Sequence, residues 1–248
     1  VLSETVCSVC PVLKAQPLCD LSNASRASLE RWVAPLRLGQ RAFLFKAGQW
    51  PTFVYALREG SLKLIREEGG DGGTVVEIVF PGEWVGVNSL LAGEAYTVSA
   101  EALEPSALCA VRQEDFLAHF AADAEFSREV VRQLSDRLGQ AQTLLLMRSQ
   151  HDAASQLASC LLYLDGRQPA GSPPGVALTK SDLGQIIATA QETVFRLLAK
   201  FEKQGLLDRR DRRIVLKDKD GLRAVAANPK NTGSRGRRSS PYWASVKS

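Results

Sequence analysis

The sequence predicts an α+β chain: an N-terminal antiparallel β-roll, then one long helix, then a C-terminal winged helix-turn-helix. Three observations predict it. Short apolar segments punctuated by glycine run from residue 36 to residue 114, apolar residues fall on a single helical stripe after residue 123, and two helix starts ten residues apart precede an arginine-rich hairpin.

The 248 residues, 45% of them apolar, suffice for packed cores in one large domain or two ordinary ones. No apolar run approaches the roughly 20 residues that cross a bilayer. The first residues lack the basic-then-apolar order of a secretory signal, so the expectation is a cytoplasmic protein with no membrane partner. The net charge of +4 is unevenly spread. Residues 1–122 carry 10 Lys and Arg against 14 Asp and Glu, residues 123–170 carry 5 against 6, and residues 171–248 carry 16 against 7. A positive end on an otherwise acidic chain fits a polyanionic partner, and a solvated basic surface accounts for the same charge.

Residues 1–30 form a cysteine-rich segment holding Cys7, Cys10 and Cys19, and "NASRASLERWV" (23–33) is a short helical candidate. Residues 31–122 are read as the roll, with strands in "LRLGQRAFLFKAG", "FVYALREGSLKLIRE", "TVVEIVFPGEWVG" and "EALEPSALCAV". Turns fall at Gly48, Gly60, the "EEGGDGG" hairpin candidate (67–73), Gly82, Gly86 and Gly93. No helical period is visible between these strands. Residues 123–165 hold the long helix and a following helix. In the long helix Val131, Leu134, Leu138, Ala141 and Leu145 are spaced three, four, three and four, the a/d pattern of a helix seam. Such a seam serves a homodimer or packs the helix on its own roll. "GRQPAGSPPG" (166–175) cannot continue a helix and is read as the linker, so the reader domain is expected over 166–227. From residue 228 to 248 the tail has five cations, no acid and much Ser, Gly and Pro, and is expected to be disordered.

In "LTKSDLGQIIATAQETVFRLLAKFEKQGLL", Thr179 precedes Asp182 by three residues and Thr189 precedes Glu192 by three, so each threonine is an expected helix cap. The first helix buries Leu183, Ile186 and Ile187, and the second buries Val194, Leu197, Leu198 and Phe201. The second leaves Glu192, Phe195, Arg196 and Ala199 on its other face. An arginine there can bridge guanine O6 and N7, and a carboxylate can accept from cytosine N4. An i, i+4 salt bridge between Glu192 and Arg196 on a solvated face is the plainer use of the same pair. Gly205 ends the helix, and "LLDRRDRRIVL" reads as a two-stranded wing whose arginines suit phosphate contacts.

This stretch resembles the winged helix-turn-helix of the CRP/FNR regulators, whose recognition helix carries a Glu-Thr-Val/Ile-x-Arg core matched by Glu192, Thr193, Val194 and Arg196. The order of roll, long helix and reader resembles the family over nearly the whole chain, and the roll is similar to its cyclic-nucleotide-binding-like jelly roll. The resemblance implies a homodimer on palindromic double-stranded DNA, with RNA polymerase as a further partner. The implied DNA-facing set is Thr179, Thr189, Gln191, Glu192, Thr193, Phe195, Arg196, Lys200, Arg209, Arg210, Arg212 and Arg213. Phe195 stands where the FNR branch usually has serine, which leaves open the outermost base of a TTGAT-type half-site.

"FPGEWVGVNSLLAGEAYTVSAEAL" resembles the family's cyclic-nucleotide cassette in Gly82 and Gly86, but Val87 replaces its glutamate. No Lys or Arg occurs between Arg66 and Arg112. A cyclic phosphate needs charge-assisted donors, so no cyclic nucleotide is expected. A 4Fe–4S cluster needs four thiolates, three of them available in the N-terminal segment, with Cys109 and Cys160 as candidates for the fourth. C-x2-C with two further cysteines is equally a zinc pattern. Cys160, among apolar helical residues, reads as a buried small hydrophobe. "EALEPSALCAV" resembles the stretch carrying the fourth ligand of FNR proteins, which implies Cys7, Cys10, Cys19 and Cys109 as the cluster set and oxygen as the signal. The second interval, eight residues against the usual five, costs little closure entropy. With an apolar seam, the protein is expected to stay dimeric in air and lose only its DNA-binding geometry. A family member triggered by zinc, haem, nitric oxide or thiol redox is the alternative. An enzyme is not expected, since His119 and His151 have no ligand partner at metal spacing and no nucleophile elbow or Walker loop occurs. A DNA-packaging protein would explain neither the roll nor the thiols.

Overall fold

A computed structural model describes residues 32–67, 73–150, 152–169, 172–210 and 213–227. The first half is strands: β1 (Val33–Leu38), β2 (Phe43–Phe45), β3 (Phe53–Glu59), β4 (Leu62–Arg66), β5 (Thr74–Val79) and β6 (Trp84–Val85). A short helix, α1 (Val87–Ala92), then precedes β7 (Ser99–Ala102) and β8 (Ser106–Arg112). They form two antiparallel four-stranded sheets, ordered β1-β8-β3-β6 and β2-β7-β4-β5. The turn at Gly60 requires glycine: its φ is +87°, and a Cβ would meet the Pro105 carbonyl at 2.7 Å.

The roll therefore departs from the sequence expectation at one place. α1 has six residues between Gly86 and Gly93, both left-handed, and is too short to show a period. The end of the helical candidate at 23–33 is also strand, since Val33 pairs with Val111. Residues 23–31 of that candidate, residues 68–72 of the hairpin and the tail from 228 lie outside the described residues.

The second half is helical: α2 (Gln113–Ala122), α3 (Ala124–Arg148), α4 (Ala153–Gly166), α5 (Lys180–Ile187) and α6 (Gln191–Lys203). A hairpin of β9 (Leu207–Arg210) and β10 (Arg213–Leu216) follows, then α7 (Lys219–Ala226). Asp123 starts α3 by accepting from the N–H groups of Glu125 and Phe126, and Asp152 starts α4 by accepting from Ser155.

Three packed groups hold this together. Phe45, Leu57, Leu62, Val85, Tyr96 and Leu108 fill the roll. Trp84, Cys109, Phe116, Phe126 and Val130 join the first sheet to α2 and α3. In the third, Leu157, Leu161 and Leu164 of α4 pack with Ile186, Val194, Leu198, Phe201 and Leu222. The expected start of the reader domain at 166 is thus corrected. α4 shares the reader's core, so the proline-rich stretch after it is a loop within that unit.

Candidate nucleic-acid interface

The two-helix reader is set by its first cap. The Thr179 hydroxyl accepts from the Asp182 N–H (3.2 Å), and the Asp182 carboxylate accepts from the Thr179 N–H (2.9 Å). α5 ends in a left-handed Ala188. Gly184 lets the turn close: a Cβ there would meet the Thr189 carbonyl at 2.7 Å. The second cap differs from expectation. α6 begins at Gln191 with Ala190 in the cap position and no side-chain cap. Thr189 lies one residue too early, and its half-buried hydroxyl donates to the Ile187 carbonyl (3.3 Å).

Val194, Leu198 and Phe201 face inward from α6, while Gln191, Glu192, Phe195, Arg196, Ala199 and Lys200 are exposed and Thr193 is half-buried. Among the described residues no ion pair joins Glu192 to Arg196, so both polar ends of this face are available. Phe195 is 48% exposed, and Lys180 Nζ lies 3.8 Å from its ring centroid. Thr179, also exposed, stands beside Lys180 at the start of α5.

The wing arginines do not act as one group. Arg210 is largely exposed and pairs with Asp208 beside it, and Arg209 pairs with Glu202. Arg213 is corrected as a phosphate contact. Its guanidinium turns toward the roll, pairing with Glu104 at 2.5 Å and donating to the carbonyls of Pro174 and Gly175. Arg212 lies outside the described residues.

The contact of reader with roll was missed from the sequence. Lys63 Nζ, on β4, lies 2.8 Å from Asp182 and 3.3 Å from Glu101, and Arg41 reaches both acids. Burial by itself pushes the Asp182 carboxyl upward, but hydrogen bonds from Lys63 and Thr179 and the Lys63 charge outweigh it and hold the group below its ordinary value. Arg148, at the end of α3, donates to the carbonyls of Ile186 on α5 (2.7 Å) and Val75 on β5 (2.8 Å). One sequence signal was available: in "SLKLI" a lone cation sits inside an apolar strand, which is where a buried, paired lysine would stand.

Along α3, Val131, Leu138 and Leu145 are 53%, 63% and 65% exposed, and Ala141 is exposed with them. Leu134 departs from this stripe: it is half-buried against the chain's own Trp84–Phe126 group. The inward polar residues grip the loop before α1. Gln133 donates to the Gly82 carbonyl and accepts from the Trp84 N–H, both at 3.2 Å, while Arg137 donates to the Trp84 carbonyl and Glu77. Val87 is buried, Glu83 is engaged by Arg167, and Tyr96 stacks on Phe45 inside the roll.

Cys109 is 7% exposed on β8, opposite Pro35 of β1 and Ala56 of β3. Cys160 is wholly buried in α4, and burial pushes its thiol up to about 12, which keeps it protonated and inert. Cys7, Cys10 and Cys19 lie outside the described residues, and among those described no group of three or more His, Cys, Asp and Glu could hold a metal. No described helix is long and apolar enough to cross a membrane.

A helix with an exposed Glu, Phe and Arg face, carried on a β-roll through a long helix, defines a two-part DNA-binding regulator. Residues 35–123 match the cyclic nucleotide-binding domain family and residues 155–225 match the Crp-like helix-turn-helix domain family. The chain is 29% identical over 203 residues to the fumarate and nitrate reduction regulatory protein of Salmonella typhimurium, covering 79% of each chain. It is 26% identical over 196 residues to the transcriptional activator protein FnrA of Stutzerimonas stutzeri, covering 77% of this chain and 79% of that one. In fold it is similar to FixK2 from Bradyrhizobium japonicum (TM-score 0.69, 22% identity, 79% of this chain and 98% of that one). A CRP-family transcriptional regulator from Thermus thermophilus is also similar (TM-score 0.66, 23% identity, 77% and 96%). The chain belongs to the CRP/FNR family of DNA-binding transcription regulators.

Proposed function

We propose that this chain is an oxygen-responsive regulator that binds a palindromic operator as a homodimer, α6 of each copy in the major groove, when a 4Fe–4S cluster is held by Cys7, Cys10, Cys19 and Cys109. The observation that carries the reading is the place of Cys109. It sits on β8 two residues from the Val111–Val33 pair, where the N-terminal segment joins the roll. Cys19 is 14 residues before Val33. That length spans up to about 46 Å extended, against about 9 Å between Val33 and Cys109, so the segment's thiols have ample reach. Four thiolates are the donor set such a cluster takes. Bound there, it would supply a tie between segment and roll that oxygen destroys.

Cys109 shares its packed group with Phe126 and Val130, so a change in the cover over its sulfur bears on the start of α3. The same helix ends in Arg148, which grips α5. This is a mechanical route from thiol to reader. The seam Val131, Leu138, Ala141 and Leu145 carries no charge and keeps the dimer in either state, leaving reader geometry as what the signal changes. With Val87 at the cassette and Tyr96 filling the roll, no cyclic nucleotide takes part. RNA polymerase is the further partner of the DNA-bound dimer.

The test is anaerobic purification followed by binding to a TTGAT inverted repeat, with and without air. The expected protein is brown, contains iron and sulfide, bleaches in air, and binds only before bleaching. Cys109→Ala should lose both colour and binding. A colourless zinc protein, or a Cys109→Ala protein that still binds only without air, overturns the assignment.

A further inference from the structure

We infer that Phe195 selects thymine, through its C5 methyl, and that Lys180 holds the ring in place while meeting an adjacent phosphate. The inference rests on α6 being the groove-reading helix. Among the described residues Phe195 belongs to none of the packed groups, and it projects from the face that carries Glu192 and Arg196. Among the described residues this large side chain on a charged face packs in no apolar group, and the contact its ring makes is with a cation. In the major groove each base pair offers polar edges, and thymine alone adds a methyl group, so the apolar match for a phenyl ring there is thymine.

Lys180 makes the ring a fixed element. Its ammonium lies over the Phe195 ring at 3.8 Å from the centroid, and its backbone begins α5, one helix away. Cation and ring thus bridge the two helices. The lysine orients the ring without covering it, since Phe195 stays 48% exposed. Among the described residues Lys180 makes no ion pair, so its charge remains available to the duplex backbone. The pair divides its work: the ring discriminates between bases, and the ammonium adds affinity that is blind to sequence.

The test is a methyl scan. Duplexes are first selected from a random pool by the wild-type protein. Each symmetric pair of thymines is then replaced by deoxyuracil, which removes only the methyl groups, and binding is followed by fluorescence anisotropy. At one pair, wild-type affinity should fall about tenfold, the loss of one methyl contact in each half-site. Phe195→Ser should bind thymine and uracil there alike, and Phe195→Leu should keep part of the preference. Lys180→Met should weaken binding to every sequence, reduce the salt slope by about 2 per dimer, and blunt part of the thymine preference because the ring is no longer held. A wild type indifferent to every replacement, or a Phe195→Ser protein with unchanged thymine preference, overturns the inference. If the wild type enriches no duplex, the groove-reading role of α6 falls first and this inference with it.

Discussion

The long helix α3 and the reading helix α6 both bury apolar side chains but turn different ones to water. α6 buries Val194, Leu198 and Phe201 and turns Glu192, Arg196 and Lys200 outward, as a helix on a water-soluble fold does. α3 buries Phe126, Val130, Leu144 and Met147, and with them Glu129 and Gln133, yet it also exposes Val131, Leu138, Leu145 and Leu146. Gln133 donates to Glu129 and to the loop before α1 and accepts from it, so these two buried polar side chains are paired inside. What sets α3 apart lies outside, in an apolar stripe left facing water. A charged outer face calls for a polyanion, and an apolar one calls for another apolar surface, most simply the same stripe on a second copy.

The largest expected effect breaks that contrast directly. Leu138→Asp should weaken self-association by at least about a hundredfold, because two-fold symmetry removes two leucines, each contributing about 1.5–3 kcal/mol when buried, and adds two charges to an apolar seam. Sedimentation equilibrium over a concentration series reads the change, with circular dichroism checking that the fold persists. Phe195→Asp, an apolar-to-acid change at an exposed position of α6, should leave association untouched. Equal effects from the two substitutions would remove the distinction between the helices.

The next effect concerns the contact that joins reader to roll. Lys63→Met leaves the Asp182 carboxylate buried with its Thr179 hydrogen bonds and, among the described residues, Arg41 at 3.4 Å as its remaining cation. Stripping a buried carboxylate of its main partner costs about 3 kcal/mol. Asp182→Asn should cost less, since Lys63 keeps Glu101 at 3.3 Å and the amide can still accept at the cap. The pH dependence has a definite sign. Asp182 is held below its ordinary value, so its contribution is present above the unfolded carboxylate value of about 3.9 and is lost as pH falls through the lower folded value. Urea unfolding between about pH 2.5 and 6 should therefore show a steeper acid loss in the wild type than in Asp182→Asn. Parallel profiles would mean that Asp182 contributes nothing through its charge.

Periodicity and local chemistry made much of this architecture legible, and the reasons are visible in single residues. The outward stripe of α3 was readable because Val131, Leu138 and Leu145 recur at helical spacing whether or not a partner is present. Leu134 obeys the same spacing yet faces the chain's own core, because spacing marks a stripe and not what covers it. Gly205 was readable as a helix stop because a left-handed residue is needed there, and its φ is +73°. α1 was hidden by its length. The start of the reader was misplaced because proline and glycine mark a loop, and a loop is a domain boundary only when few contacts cross it. Leu157 and Leu161 cross it. Arg213 and Lys63 were hard to place for a related reason: where a cation goes depends on acids distant in sequence, Glu104 and Asp182.

The smallest effect separates two threonines that look alike in sequence, each three residues before an acid. Only Thr179 has its capping bonds: its hydroxyl accepts from the Asp182 N–H, and it also donates to the Asp182 carboxylate at 2.5 Å. Thr179→Ala removes a cap and a donor that helps hold Asp182 ionised, and should lower stability by about 1 kcal/mol. Thr189→Ala removes two long bonds, to the Ile187 carbonyl at 3.3 Å and to the Gln156 side chain at 3.5 Å, from a residue outside the cap position. Its effect should stay within about 0.5 kcal/mol. Thermal unfolding of the two variants in one buffer decides between them. A larger loss for Thr189→Ala would return that residue to the start of α6 and shift the register of the face that carries Glu192, Phe195 and Arg196.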